Sequence, residues 1–144
     1  MSEPLPVIYL ARHGETAWSI SGQHTGLTDL PLTDRGERNA RCLGERFKGL
    51  SFTKVFTSPL QRARRTSELA GFGDRAEVDR DLLEWNYGDY EGRRTEEIHA
   101  ERPEWQLFRD LLSTASLSAL GYEHNLSQPA IQLWNDTNHV ARDR

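Results

Sequence analysis

The sequence predicts a single α/β domain with a small, mainly parallel sheet. Short β-forming runs alternate with helical patterns from residue 7 to residue 70, the order that builds a parallel sheet with crossover helices. Two further strand-like runs, 114–122 and 130–134, are joined by polar residues including Asn125, Ser127 and Pro129, which suits a C-terminal antiparallel strand pair. A chain of 144 residues suffices for one hydrophobic core and not for two, so residues 1–144 are read as one domain.

Val7-Ile8-Tyr9-Leu10-Ala11 reads as a short buried strand. It runs into Arg12-His13-Gly14-Glu15-Thr16, at the end of a strand where α/β proteins place their ligands. Residues 17–32 carry Gly22, Gly26 and Pro31 among polar neighbours and read as a loop over that end. Thr33-Asp34 starts a helix, with Ala40, Leu43, Phe47 and Leu50 at helical spacing and Gly49 near its stop. Lys54-Val55-Phe56-Thr57 is a second strand, and Ser58-Pro59 supplies an N-cap and first-turn proline for a helix through about Ala70. A third strand is expected around Val78, within residues 76–83. Residues 84–92 are irregular, aromatic and acidic. Thr95 opens a helix with Glu96 and Glu97 in its first turn, where the helix dipole favours acids, and Pro103 kinks or restarts it before Trp105 and Phe108.

The net charge of −4 argues against nucleic-acid binding through overall charge. Cys42 is the one cysteine, so no intrachain disulfide forms and a reducing compartment is favoured; its place in a helical pattern makes it a small core residue. The five histidines are scattered without metal-ligand spacing, so neither a metal nor another cofactor is expected. Residues 1–6 lack the basic and apolar regions of a secretory signal, and no apolar run reaches membrane-spanning length. A cytoplasmic protein that binds neither nucleic acid nor membrane is the expectation.

Four residues carry the candidate chemistry. His13 and Arg12 lie at the end of the first strand, Arg62 in the first turn of the helix after the second, and Glu84 in the later loop. Guanidinium groups can hold the equatorial oxygens of a transferring phosphoryl group. A neutral imidazole is a competent nucleophile near pH 7 when its other nitrogen is held, and a carboxylic acid can protonate the leaving alkoxide. Each residue also has a bland reading: His13 in a solvated turn, Arg62 on a solvated helix face with Arg64 and Arg65, Glu84 as a turn cap, Trp85 and Tyr87 as packing residues.

Together the motifs resemble the histidine phosphatase superfamily, within it the phosphoglycerate mutase-like branch of small bacterial phosphatases. The resemblance rests on Arg12-His13-Gly14-Glu15-Thr16; Gly26 and Asp29 ahead of Pro31-Leu32-Thr33 and Gly36; Thr57-Ser58-Pro59-Leu60-Gln61-Arg62-Ala63; and Glu84 with Tyr87-Gly88 and Glu91-Gly92. It covers Val7 to about Asp110, and Ser116-Leu117-Ser118 with Ile131 to Asn135 look like that branch's closing strands. It implies a three-layer phosphoglycerate mutase-like fold, a phosphohistidine on His13, phosphate contacts from Arg12 and Arg62, Glu84 as proton donor, and Thr25, Gly26 and Tyr87 near the substrate. Ser19 stands where the family usually has asparagine, and its hydroxyl would take the phosphate contact with shorter reach. Thr95 aligns with a lysine of the family's mutases, which favours a phosphatase.

The family's second active-site histidine, in a Ser-His-Gly motif after another core strand, has no counterpart. Phe108-Arg109-Asp110 passes directly to Leu111-Leu112-Ser113, as in a member shortened by an internal deletion near residues 110–111. His99, His124 and His139 do not match the motif. The sheet would be reduced, with the second strand closing against the first or a second copy of the chain supplying the contact as a homodimer, because orphaned buried backbone groups are costly. The expected activity is hydrolysis of a small phosphate monoester, impaired by the missing histidine. The alternatives are a non-catalytic protein that binds inorganic phosphate, and an oligomerising form that covers an exposed sheet edge.

Overall fold

The structure is a computed structural model describing residues 4–106 and 112–140. Its elements are β1 (Ile8–Ala11), α1 (Ala17–Ser21), α2 (Asp34–Arg46), β2 (Val55–Thr57), α3 (Gln61–Ser67), β3 (Ala76–Val78), α4 (Thr95–Glu101), β4 (Leu117–Tyr122) and β5 (Pro129–Asp136). A π turn over Glu68–Phe72 extends α3, and single 3-10 turns occupy Arg80–Leu82 and Gly88–Tyr90.

The α/β class and the C-terminal antiparallel pair are as expected, but the sheet is not mainly parallel. β2 and β3 form a parallel pair, Val55 opposite Ala76 and Thr57 opposite Val78. β1, β4 and β5 form a separate antiparallel sheet, with Ile8 opposite Leu120 and Ala11 opposite Leu117. The place beside β1 therefore goes to β4 and not to β2. β2 is three residues long and finds its partner about twenty residues away, whereas β4 and β5 form a hairpin that presents a full row of backbone groups to β1. The expected shortening at residues 110–111 lies outside the described residues.

The core lies between β1, α2 and the π turn. Ala40 and Leu43 are buried on the inner face of α2. Tyr9, Phe47, Phe52 and Phe72 meet edge to face at centroid distances of 5.4 to 5.6 Å. Leu117 and Ala119 are buried in β4 and Ile98 in α4. β1 is covered in part and on one face only. Tyr9 meets the aromatic cluster, but Ile8 is 61% exposed and, with Leu10 and Ile131, forms a bare apolar face across the antiparallel sheet. Leu50 is also exposed, because α2 stops at Arg46 with Phe47 as its C-cap. Cys42 is half-buried.

Two helix starts differ from their local sequence signals. α1 lies in the stretch read as loop, held by a reciprocal cap: Thr16 Oγ1 accepts the Ser19 amide at 3.2 Å and Ser19 Oγ accepts the Thr16 amide at 2.9 Å. α3 is capped at Leu60 and not at Ser58. The carboxylate of Asp29, from the loop before α2, accepts the Gln61 amide at 2.7 Å and does the work a local serine would do. Thr33 caps α2 as expected, accepting the Gly36 amide at 3.0 Å. Among the described residues no helix is long and apolar enough to cross a membrane.

Candidate active site

The turn after β1 is clamped from both sides. A Cβ on Gly14 would lie 2.4 Å from the carbonyl oxygen of Gly36, and one on Gly36 would lie 2.2 Å from that of Glu15. The backbone at the N-terminus of α2 therefore rests directly on the turn, a contact only two glycines permit. Thr33 adds two bonds, its amide to the Glu15 carbonyl at 2.9 Å and its hydroxyl to Glu15 Oε1 at 2.7 Å. On the far side, the Arg12 amide donates to the Ser116 carbonyl at 3.1 Å and the Ala115 amide to the His13 carbonyl at 2.9 Å.

His13 Nδ1 lies 2.7 Å from the carbonyl oxygen of Gly14. A carbonyl only accepts, so Nδ1 carries the hydrogen and the Nε2 lone pair of the neutral ring is left free. Burial pushes the imidazole down from 6.5 to about 4; the Gly14 carbonyl opposes this, and the charges of Arg12 and Arg62 add to it. The ring is neutral at physiological pH and feels both guanidinium groups.

Those guanidinium groups arrive from different elements. Arg12 donates through Nη1 to the Leu112 carbonyl. Arg62, in the first turn of α3, is 2% exposed and donates through Nη1 to the Thr28 carbonyl at 2.9 Å and through Nη2 to the Gly26 carbonyl at 2.7 Å. Burial lowers the pKa of both arginines, opposed by the negative charge of Glu84. The loop that receives Arg62 is held from its other side by Glu91. One carboxylate oxygen accepts the amides of Gly26 and Thr28 at 2.8 and 3.0 Å. Burial raises the Glu91 carboxyl, and hydrogen bonds from the backbone and side chain of Thr28 and from the backbone of Gly26 and Tyr87 together outweigh it, leaving a net lowering.

Of the residues singled out in the sequence, Arg12 and Arg62 lie within electrostatic reach of His13 on one side and of Glu84 on the other, with Tyr87 near Glu84 and Arg12. Glu84 is exposed and accepts the amide of Trp85 at 2.9 Å through one oxygen. Tyr87 stacks on His24 at 5.0 Å, and its hydroxyl is raised by burial and by Glu84. Gly26 packs so closely on this loop that a Cβ would lie 2.1 Å from the Trp85 carbonyl oxygen. Thr25 donates to the Gln23 carbonyl at 3.2 Å. Ser19 donates its hydroxyl to the Thr16 carbonyl at 2.9 Å, within the cap of α1. Two contributors were not singled out for roles, Glu91 and Thr66. The spacing of Thr66 four residues after Arg62, one helical turn along the same face, is the signal that points to it.

An α/β domain whose strand ends gather a neutral imidazole and two guanidinium groups is the class that fold and site define. The chain belongs to the histidine phosphatase superfamily (branch 1), whose family model matches residues 8–111. It is 45% identical over 129 residues to sedoheptulose 1,7-bisphosphatase of Saccharomyces cerevisiae, covering 73% of this chain and 47% of that protein. It is 43% identical over 100 residues to an acid phosphatase of Mycobacterium tuberculosis, covering 68% and 49%. The chain thus spans about half the length of the curated relatives it matches. Among solved structures, the product of a Mycobacterium tuberculosis open reading frame superposes with a TM-score of 0.82 at 26% identity, over 90% of this chain and 96% of that one. Phosphoserine phosphatase from Entamoeba histolytica superposes with a TM-score of 0.80 at 18% identity, over 94% and 99%, which speaks for the fold.

Proposed function

We propose that the chain hydrolyses small phosphate monoesters through a phosphohistidine on His13. The observation that carries this reading is the imidazole itself, neutral, with Nδ1 bonded to Gly14 and Nε2 free, under the charge of Arg12 and Arg62. Nε2 attacks phosphorus, the P–O ester bond breaks, and the leaving alkoxide takes a proton from the carboxyl group of Glu84. Water then attacks the phosphohistidine, the Glu84 carboxylate takes its proton, the P–N bond breaks, and inorganic phosphate leaves. Arg12 and Arg62 hold the equatorial oxygens throughout. Thr25, Gly26 and Tyr87 border the leaving group. Ser19 adds a phosphate contact by turning its hydroxyl away from the Thr16 carbonyl.

The phosphatase names of the two curated relatives support the reaction class. A missing second histidine would slow turnover by about a hundredfold, the typical cost of removing one donor that stabilises charge in the transition state. The sole cysteine, Cys42, supports a reducing, cytoplasmic setting. The exposed Glu84, bonded to its neighbour's amide, favours a second reading in which His13 and the two arginines bind phosphate without turnover. Hydrolysis of p-nitrophenyl phosphate by the chain and by His13→Ala separates the two. A rate lost in the variant supports hydrolysis through His13; equal rates remove it, and vanadate binding without turnover selects the second reading.

A further inference from the structure

We propose that Thr66 is a positioning residue that fixes His13 relative to Arg62 through a chain of hydrogen bonds running from the backbone of α3 to the imidazole. The inference rests on the functional reading above and deepens it. Thr66 is 5% exposed and lies one turn beyond Arg62. Its hydroxyl donates to the Arg62 carbonyl at 2.7 Å and accepts the Gly14 amide at 3.0 Å. Gly14 in turn accepts His13 Nδ1 at 2.7 Å. Each link has a defined sense. The Arg62 carbonyl can only accept, so the hydroxyl hydrogen points toward α3 and its lone pairs are left for the Gly14 N–H.

That N–H belongs to the peptide joining His13 to Gly14, so the bond holds the backbone from which the imidazole projects. Buried as it is, the amide has no water to fall back on if the hydroxyl is removed. The turn is already fixed by α2 on one side and by residues 115–116 on the other. Thr66 is the contact that refers the turn to α3, whose first turn carries Arg62. Without it, the imidazole and the guanidinium are each held well, but to different parts of the molecule.

The test uses a crossed pair of variants. Thr66→Val keeps the shape and methyl group and loses the hydroxyl; Thr66→Ser keeps the hydroxyl and loses a methyl group. Two readouts are taken on the full chain: vanadate affinity, and the pH titration of the His13 ring followed by NMR. Thr66→Val is expected to weaken vanadate binding about tenfold or more, the scale of an unmade buried hydrogen bond, and to move the His13 midpoint upward from about 4. Thr66→Ser is expected to bind vanadate within about threefold of the parent and leave the midpoint in place. The reverse ranking, or equal effects of both variants, shows that the methyl contact matters and overturns the proposal. Turnover of p-nitrophenyl phosphate is a separate arm. A parent chain that binds vanadate with this ranking but hydrolyses nothing refutes the phosphatase reading and leaves the positioning role standing. If the parent binds no vanadate, the midpoint alone decides, and no upward movement in Thr66→Val overturns the inference.

Discussion

His13 should make the protein less stable as the pH falls from neutrality, and the size of the effect follows from its surroundings. In the unfolded chain the ring titrates near 6.5; in the folded protein burial and two arginines hold it down to about 4. The unfolded state therefore binds the proton first. Above pH 6.5 neither state is protonated and the group contributes no pH dependence. Between 6.5 and 4 stability declines as pH falls, and below 4 the loss is complete, at about 3 kcal/mol from 1.36 kcal/mol for each pH unit of difference. Urea unfolding at pH 7, 6, 5 and 4 should show this decline in the parent. It should be absent from the profile of His13→Asn, whose side-chain amide can still donate to Gly14, and subtracting the two curves removes the other titrating groups and leaves the contribution of His13. The same depression should appear in the chemistry. At pH 5 about nine-tenths of His13 remains neutral, against about 3% for an unperturbed ring, so under the proposed mechanism phosphoenzyme formation should be nearly as fast as at pH 7. A His13 midpoint near 6.5, or parallel stability profiles for parent and variant, would refute the claim that the imidazole is desolvated beside two cations.

Two other outcomes can be checked directly. Gly14→Ala places a methyl group 2.4 Å from the Gly36 carbonyl oxygen and forces α2 off the turn by about 1 Å; the expected cost is about 2–3 kcal/mol, read as a drop in Tm of about 5–10 °C, and an unchanged Tm would show that the two backbones are not in contact. Glu91→Gln keeps an oxygen for the amides of Gly26 and Thr28 but removes its charge, so phosphate affinity should fall severalfold as the loop cradling Arg62 loosens. Because the folded Glu91 carboxyl lies below its usual range, the parent should also lose stability as pH falls into the acid range, a component missing from the variant.

What could be read in the sequence is what the chemistry requires to be local. Arg12 and His13 are adjacent at the end of a strand, and Arg62 follows a strand and a proline at the start of a helix, so each announced itself in a short window. The α2 pattern was equally plain, since Thr33, Ala40 and Leu43 are spaced by the helix itself. What could not be read depended on distant partners. Asp29 caps α3 from 32 residues away and leaves no trace near Ser58. α1 has five residues, too few for a periodicity, and is held by the reciprocal cap of Thr16 and Ser19. The neighbour of β1 was the largest miss, because Ser116 and Ser118 look like surface residues in the sequence and are fully buried in the structure. The bare face of β1 is equally hidden in the sequence, as a run of apolar residues does not say which of its faces will be covered.

The pairing of β1 with β4 has a consequence for the order in which the molecule can be made. The carbonyl of His13 and the amide of Arg12 find their partners only at Ala115 and Ser116, about a hundred residues later. A ribosome synthesising this protein would have emitted His13, both helices around it and most of the aromatic core before the strand that completes the turn existed. Until then the histidine turn has only one of its two walls, so a nascent or C-terminally clipped chain should show helical signal and no affinity for oxyanions.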